Sequence, residues 1–326
     1  MKDKIKLKKS ILSAIAVLTI SATATCGALS FAACGDKSIE KTSSEGINTT
    51  VLSTAEGQIK NIDSGKTYYV SNTPSQQPDG SKEKPYGIVA LLGAESGNSL
   101  LKPGDTVLIV PGHYSISQTV GVHVSGAYNS YIKFVNAAYV DGSGYETSSS
   151  KEVILDFSNQ SFLSTARGVQ IYGNYTYWFG IDICGAGDNG MYIGGSYNTV
   201  EFCEFYNNRD TGLQLGRSYS DTTDYKYNEI NWWPSYNLIK NCTSHNNYDN
   251  ETYGENADGF AAKLTVGYGN VFDGCIAYRN SDDGWDLYAK TESGNIGAVI
   301  MYNCVAFENG YLEYTQQECN SRFSSF

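Results

Sequence analysis

Residues 189–193 read Asn-Gly-Met-Tyr-Ile, a turn residue and a glycine followed by alternating apolar side chains. An element of this kind occurs six times between residues 167 and 312. Its copies are Arg167–Ile171, Asn189–Ile193, Thr211–Leu215, Asp258–Ala262, Asp283–Leu287 and Asn309–Leu312. The successive glycines are 22, 22, 47, 25 and 26 residues apart, so the period is close to 22–26 residues, with one longer interval.

Short alternating segments predict strands here, because they are too short and too often interrupted by glycine to form helices. A period of 22–26 residues built only from strands and turns is typical of a parallel β-helix, in which each repeat forms one coil. We therefore predict an all-β, right-handed parallel β-helix over residues 65–326. The 47-residue interval is expected to be one coil carrying insertions at Gly216–Asn237 and Tyr248–Ala257.

A cysteine and an asparagine recur in step with the glycines. Five cysteines are each followed, five residues later, by an asparagine. The pairs are Cys184/Asn189, Cys203/Asn208, Cys242/Asn247, Cys275/Asn280 and Cys304/Asn309. Asparagine tolerates left-handed turns, and its amide can bond to the next coil, so a ladder of stacked asparagines is expected. The cysteines are interpreted as buried free thiols that act as small apolar side chains.

The N-terminal 33 residues are typical of an export signal, because five lysines precede an apolar run from Ile11 to Ala33. The run ends Phe31-Ala32-Ala33-Cys34, which resembles the lipobox of bacterial lipoproteins and would make Cys34 the lipidated first mature residue. A simple cleaved signal and an uncleaved anchor are the alternatives. Residues 34–64 are expected to form a flexible tether. The expected location is outside a bacterial cell, either secreted or attached to the membrane through lipid on Cys34.

Composition and charge exclude one class of partner. The chain has 326 residues, enough for a large core, and a formal net charge of −11. Nucleic-acid binding through a basic face is excluded, because phosphate contacts require clustered Lys and Arg. The 26 tyrosines fit a surface that binds carbohydrate, and a monomer is expected.

Acidic side chains gather where two successive coils enter their strands. Asp258 and Asp283 each precede a glycine of the repeat, so they are expected to stack as neighbours. Asp282 is adjacent, and Asp286 should project outward from the strand that follows. Four carboxylates in two coils repel one another unless they are compensated, and Ca²⁺, with about six to eight oxygen ligands, would do so. Ordinary Asp-Gly turn chemistry is the alternative for Asp258 or Asp283 alone.

The two acidic segments also carry a family resemblance. Asn256–Leu264 and Asp282–Lys290 resemble the signature of the family 9 polysaccharide lyases, which are pectate lyases with a parallel β-helix fold. The resemblance is dense from Tyr172 to Leu312 and looser from Tyr68 to Asn136. It implies Ca²⁺-dependent β-elimination of polygalacturonate, in which a base removes the C5 proton and the C4 oxygen leaves. The residues that it assigns to the Ca²⁺ are Asp258, Asp282, Asp283 and Asp286.

The resemblance leaves the catalytic residue unknown. In the family the base is a lysine one coil beyond the second acidic motif, and the equivalent strand would begin near about residues 332–336, beyond Phe326. We therefore expect a chain truncated before its catalytic lysine and weakly active or inactive. Lys263 is a weak surrogate for that base. It is expected to bind a substrate carboxylate, with an ion pair that balances the acids as the alternative.

Two tyrosines are candidate substrate-binding residues. Tyr192 and Tyr288 lie at outward positions and are expected to bind substrate by stacking on sugar rings, with burial at the coil edge as the alternative.

The alternative to a lyase is a non-catalytic β-helix surface lipoprotein that binds polysaccharide and keeps the acidic site for structural Ca²⁺.

Overall fold

A computed structural model of the chain describes residues 65–92, 100–218, 229–249 and 251–310. The predicted export segment 1–33, the tether 34–64 with Cys34, and residues 311–326 lie outside the described residues. None of the helices in the described ranges combines the length and the apolar character that crossing a bilayer requires.

The described chain is made almost entirely of short strands. In chain order they are β1 (Thr67–Val70), β2 (Thr106–Ile109), β3 (Gly112–Ser115), β4 (Val120–Val122), β5 (Ile132–Asn136), β6 (Val153–Asp156), β7 (Val169–Ile171), β8 (Thr176–Phe179), β9 (Asp182–Cys184), β10 (Met191–Ile193), β11 (Thr199–Glu201), β12 (Glu204–Tyr206), β13 (Leu213–Leu215), β14 (Leu238–Lys240), β15 (Thr243–His245), β16 (Phe260–Ala262), β17 (Asn270–Asp273), β18 (Ile276–Tyr278), β19 (Trp285–Asp286), β20 (Val299–Tyr302) and β21 (Val305–Phe307). One short helix, α1 (Ile88–Leu92), and two 3-10 turns, Ala137–Tyr139 and Ile230–Trp232, complete the elements.

The strands form three parallel sheets. The first sheet has the order β4-β7-β10-β13-β16-β19, the second β1-β2-β5-β8-β11-β14-β17-β20, and the third β3-β6-β9-β12-β15-β18-β21. From β7 onward the chain visits the first, second and third sheets in turn, so each coil contributes one strand to each sheet. This is the predicted parallel β-helix, and crossovers between parallel strands are right-handed in nearly all proteins.

The long interval in the repeat is one coil, as predicted. β13 and β16 are neighbours, with Leu213 paired to Phe260, although 47 residues separate the two glycines that precede them. The extra residues lie between β13 and β14 and between β15 and β16, where the insertions were placed.

The core runs along the axis of the coils. Apolar side chains at the first and third strand positions, such as Met191 and Ile193, are fully buried. Large rings fill the space between coils, and Phe134 stacks on Trp178 with ring centroids 4.3 Å apart. Leu287 does not share this burial, since β19 ends at Asp286 and Leu287 is 40% exposed.

The predicted asparagine ladder is present, with one change of membership. The Asn208 amide N–H donates to Asn247 Oδ1 at 3.1 Å, Asn247 Nδ2 donates to Asn280 Oδ1 at 2.8 Å, and Asn280 Nδ2 donates to Asn309 Oδ1 at 2.9 Å. Asn189 is not a member. The N-terminal rung is instead Ala186, whose N–H donates to Asn208 Oδ1 at 3.1 Å.

A second asparagine ladder was not predicted. The Asn198 N–H donates to Asn237 Oδ1 at 2.9 Å, and Asn237 Nδ2 donates to Asn270 Oδ1 at 3.0 Å. At the N-terminal end the Thr176 N–H donates to Asn198 Oδ1 at 2.9 Å. The two ladders satisfy buried backbone donors at two separate turns of each coil.

The cysteine column has four members rather than five. Cys203, Cys242, Cys275 and Cys304 each immediately precede a strand of the third sheet, whereas Cys184 pairs with Tyr206. All five are free thiols, as predicted, and all but Cys304 are buried.

Candidate functional site

The predicted acidic residues come together where the chain enters β16 and β19. Because Phe260 pairs with Trp285, Asp258 and Asp283 occupy the same position in successive coils. One carboxylate oxygen from each of Asp258, Asp282 and Asp283 lies within 4.8 Å of the others. Asp258 is buried, Asp282 is half-buried and Asp283 is exposed, so the cluster opens to solvent on one side.

Hydrogen bonds fix two of these three carboxylates. Thr211 Oγ1 donates to Asp258 Oδ2 at 3.0 Å, and the Asn256 N–H donates to Asp282 Oδ2 at 2.8 Å. The backbone N–H of Asp283 donates to Asp258 Oδ1 at 3.2 Å. None of the described residues donates a hydrogen bond to the Asp283 carboxylate, which leaves its oxygens available to a ligand.

Lys263 and Asp286 lie beside the three-carboxylate cluster. Lys263 Nζ is 2.8 Å from Asp258 Oδ2 and 3.0 Å from Asp286 Oδ2, and the lysine is 7% exposed. The other oxygen of Asp286 accepts from the Tyr288 N–H at 2.9 Å. Lys263 therefore adopts the ion-paired arrangement that was the alternative to substrate binding.

The environment perturbs the protonation of the cluster. Burial raises the pKa of Asp258 to about 7, even though Lys263 acts in the opposite direction. Burial alone would lower the pKa of Lys263, but the Asp258 carboxylate outweighs it and keeps that pKa above its usual value. Partial burial, followed by repulsion from Asp282 and Asp286, raises the pKa of Asp283. The Lys263 ammonium is thus the one basic group that contacts any of the four predicted carboxyl groups in the described residues, and acidic side chains outnumber it.

The donor set suits a hard divalent cation. All three converging side chains offer carboxylate oxygens, which are the ligands that Ca²⁺ and Mg²⁺ prefer in proteins. Asp258, Asp282 and Asp283 could hold such an ion directly. Asp286 contacts Lys263 instead, one step away from the cluster.

The two predicted sugar-stacking tyrosines differ in their surroundings. Tyr288 is 56% exposed. Tyr192 is buried, because the Arg167 guanidinium lies 3.6 Å from its ring centroid and its hydroxyl donates to the Arg217 carbonyl at 3.1 Å. Tyr192 points away from the core, as predicted, but the Arg167 guanidinium covers a face of its ring.

A polar column that was not predicted as a site extends from the acidic cluster across the first sheet. The residue two places before each first-sheet strand from β7 to β19 occupies an equivalent position in its coil. The column consists of Arg167, Asn189, Thr211, Asp258 and Asp283. Aligning the repeat glycines already places these five residues at one coil position. Only the two aspartates among them indicated a function.

The sequence matches a known family over most of its length. Residues 68–322 match the family described as "Pel9A-like, right handed beta helix region". The chain belongs to this family. Membership in the Pel9A-like family confirms the recognition made from the two acidic segments.

Several relatives of the chain are named pectate lyases. The chain is 43% identical over 249 residues to pectate lyase L of Paenibacillus polymyxa (strain SC2), covering 76% of this chain and 52% of that protein. Pectate lyase L of Dickeya chrysanthemi is 32% identical over 252 residues, with 76% and 52% covered. The chain thus spans about half the length of these relatives.

Solved structures show the Pel9A-like fold directly. The pectate lyase Pel9A crystal structure matches with a TM-score of 0.61 and 29% identity, covering 77% of this chain and 56% of that one. A rhamnogalacturonan lyase matches with a TM-score of 0.56 and 25% identity, covering 76% and 58%. The right-handed parallel β-helix is therefore confirmed.

Proposed function

We propose that this chain is a pectate-lyase-like protein that binds polygalacturonate through Ca²⁺ held by Asp258, Asp282 and Asp283. The observation that carries the proposal is the convergence of these three carboxylates within 4.8 Å on the solvent side of the first sheet. The curated pectate lyases among its relatives supply the substrate class.

The bound ion would neutralise a galacturonate carboxylate and make the adjacent C5 proton more acidic. In the β-elimination, a base takes that proton, the C5–H electrons form the C4=C5 double bond, and the C4–O electrons leave with the departing sugar. Thr211 and Asn256 orient the carboxylates for this task through their hydrogen bonds. Asp286, paired with Lys263, completes the negative rim of the site.

We propose that Lys263 is not the base. A lysine must be uncharged to accept a proton, and the neighbouring carboxylates hold the pKa of Lys263 above its usual value. Its ammonium is also committed to Asp258 and Asp286. The described residues would then supply the cation and substrate site, with a proton acceptor other than Lys263.

The test is formation of unsaturated product from polygalacturonate, followed by ultraviolet absorbance, with Ca²⁺ or with a chelator. A rhamnogalacturonan backbone is assayed in parallel. Product that requires Ca²⁺ and polygalacturonate supports the lyase. Product from rhamnogalacturonan alone would reassign the substrate, and Lys263→Met with no activity but unchanged Ca²⁺ and substrate affinity would restore Lys263 as the base.

A second candidate function is Ca²⁺-dependent binding of polysaccharide without cleavage. It is favoured by the ion-paired state of Lys263, the lysine closest to the candidate cation site among the described residues. Binding of polygalacturonate that requires Ca²⁺ and yields no product would identify it.

We also propose that the protein is exported from a bacterial cell and carries lipid on Cys34, from the lysine-rich start and apolar run of residues 1–33. Mass spectrometry of the mature N-terminus distinguishes a lipidated Cys34 from a simple cleaved signal and from an uncleaved segment. Light scattering during gel filtration tests the expected monomer.

A further inference from the structure

Arg167 stands at the opposite end of the polar column from the acidic cluster. Arg167 and Asp258 occupy the same coil position, because the register runs from Val169 through Met191 and Leu213 to Phe260. Three inter-strand steps separate them, a distance of about 14 Å at about 4.8 Å per step. Positive charge at one end of the column thus faces the candidate cation site at the other.

The Arg167 side chain is held in one orientation. Its guanidinium lies over the Tyr192 ring at 3.6 Å, and Nη1 donates to Gln170 Oε1 at 2.8 Å. Nε lies 3.4 Å from Asp188 Oδ2 and 3.4 Å from Asn189 Oδ1. Because the Arg167 side chain is already ordered, less of its conformational entropy is lost when a ligand binds.

Part of the guanidinium remains open to a ligand. The side chain is 20% exposed, and its hydrogen bonds to the described part of the chain involve Nε and Nη1 but not Nη2. A guanidinium carries five N–H donors in a planar fork that matches the two oxygens of a carboxylate. Burial, followed by the neighbouring Asp210, raises the pKa of Asp188 to about 8, so Asp188 does not fully cancel the positive charge.

We propose that Arg167 binds a galacturonate carboxylate about three sugar residues away from the unit held at the cation site. A polygalacturonate chain carries one carboxylate on every sugar, and the rise per coil of about 4.8 Å is close to the length of one pyranose unit. A chain lying along the column would therefore bring a carboxylate to Arg167. This assignment rests on the proposed function, because it takes polygalacturonate as the ligand.

The test compares calorimetric binding of a saturated digalacturonate and a saturated heptagalacturonate in the presence of Ca²⁺. The dimer, bound at the cation site, is too short to reach Arg167, whereas the heptamer spans the column. Arg167→Gln should weaken heptamer binding by about tenfold or more, the effect of losing about 1.4 kcal/mol of charged hydrogen bonding, and leave dimer binding unchanged. Arg279→Gln, which removes a half-exposed arginine paired with Glu308, is the matched control and should change neither.

Two further measurements separate binding from structural support. Arg167→Lys keeps the positive charge but lacks the planar fork of donors, so it should lose part of the heptamer affinity. If Arg167→Gln does not fold, the heptamer affinity of Arg167→Lys tests the assignment. A heptamer methyl-esterified only on the sugars beyond the cation site should bind the wild type and Arg167→Gln equally. Equal heptamer affinity for the wild type and both variants, or an equal loss for dimer and heptamer, overturns the assignment. If the wild type binds neither oligomer, the proposed function fails instead.

Discussion

Lys263 Nζ lies 2.8 Å from Asp258 and 3.0 Å from Asp286, so one ammonium bridges side chains from two successive coils of the first sheet. Asp258 is fully buried, and its carboxylate depends on this partner for compensation. In the absence of a metal, Lys263 is the cation that allows acidic side chains to stack.

Lys263→Met should therefore destabilise the protein in the presence of a chelator, by about 3–5 kcal/mol, because it leaves the buried Asp258 carboxylate unpaired. Added Ca²⁺ should restore part of the loss, since the ion supplies the missing charge. Chemical denaturation with and without Ca²⁺ measures both effects. Lys290→Met, at an exposed lysine, is the control, and equal stability of the two variants would contradict the bridging role of Lys263.

Asp283→Asn should lower Ca²⁺ affinity by about tenfold or more, because it removes one of three converging carboxylates. The side chain is exposed and none of the described residues donates a hydrogen bond to it, so stability in chelator should hardly change. Calorimetric titration with Ca²⁺ measures the affinity. Asp141→Asn makes the same charge change at an exposed turn. Unchanged affinity in Asp283→Asn would remove this residue from the site.

Stability in chelator should fall as the pH rises from about 5 to 8. Burial and Asp210 raise the pKa of Asp188 from 3.8 in the unfolded chain to about 8, so between these pH values the folded state keeps a proton that the unfolded state has already lost. The slope from one such group is at most about 1.4 kcal/mol per pH unit, and Asp258 acts in the same direction. Asp188→Asn should flatten the profile measured by urea denaturation, whereas Asp141→Asn should leave it unchanged. A wild-type profile that rises with pH would refute the assignment.

Asn247→Ala should destabilise the protein by about 2–4 kcal/mol, because it leaves buried polar groups on both neighbouring coils without partners. Asn247 Oδ1 accepts from the Asn208 N–H, and Nδ2 donates to Asn280 Oδ1. Thermal or chemical denaturation measures the change. Asn159→Ala, which removes one exposed hydrogen bond to Ser115, should cost far less. Similar costs would mean that the ladder does not stabilise the coils.

The coil register could be predicted closely, and its one error is instructive. Stacked coils repeat at a fixed spacing, and Cys184 pairs with Tyr206, 22 residues later, in agreement with the glycines. Cys203 lies only 19 residues after Cys184, so the two cannot share a coil position. The five-cysteine column was predicted by matching residue types across repeats. The spacing alone would have excluded Cys184 from that column.

The sequence by itself determined the period, the coil-per-repeat architecture and the stacking of Asp258 on Asp283, because in-register parallel pairing transmits one local pattern to every coil. Only the tertiary structure decided that Lys263 bridges Asp258 and Asp286, and that Arg167 and Arg217 cover Tyr192. Alternation tells which side of a strand a residue faces. Contacts on that side depend on long side chains and on turns from neighbouring coils. The repeat period does not predict the conformations of either.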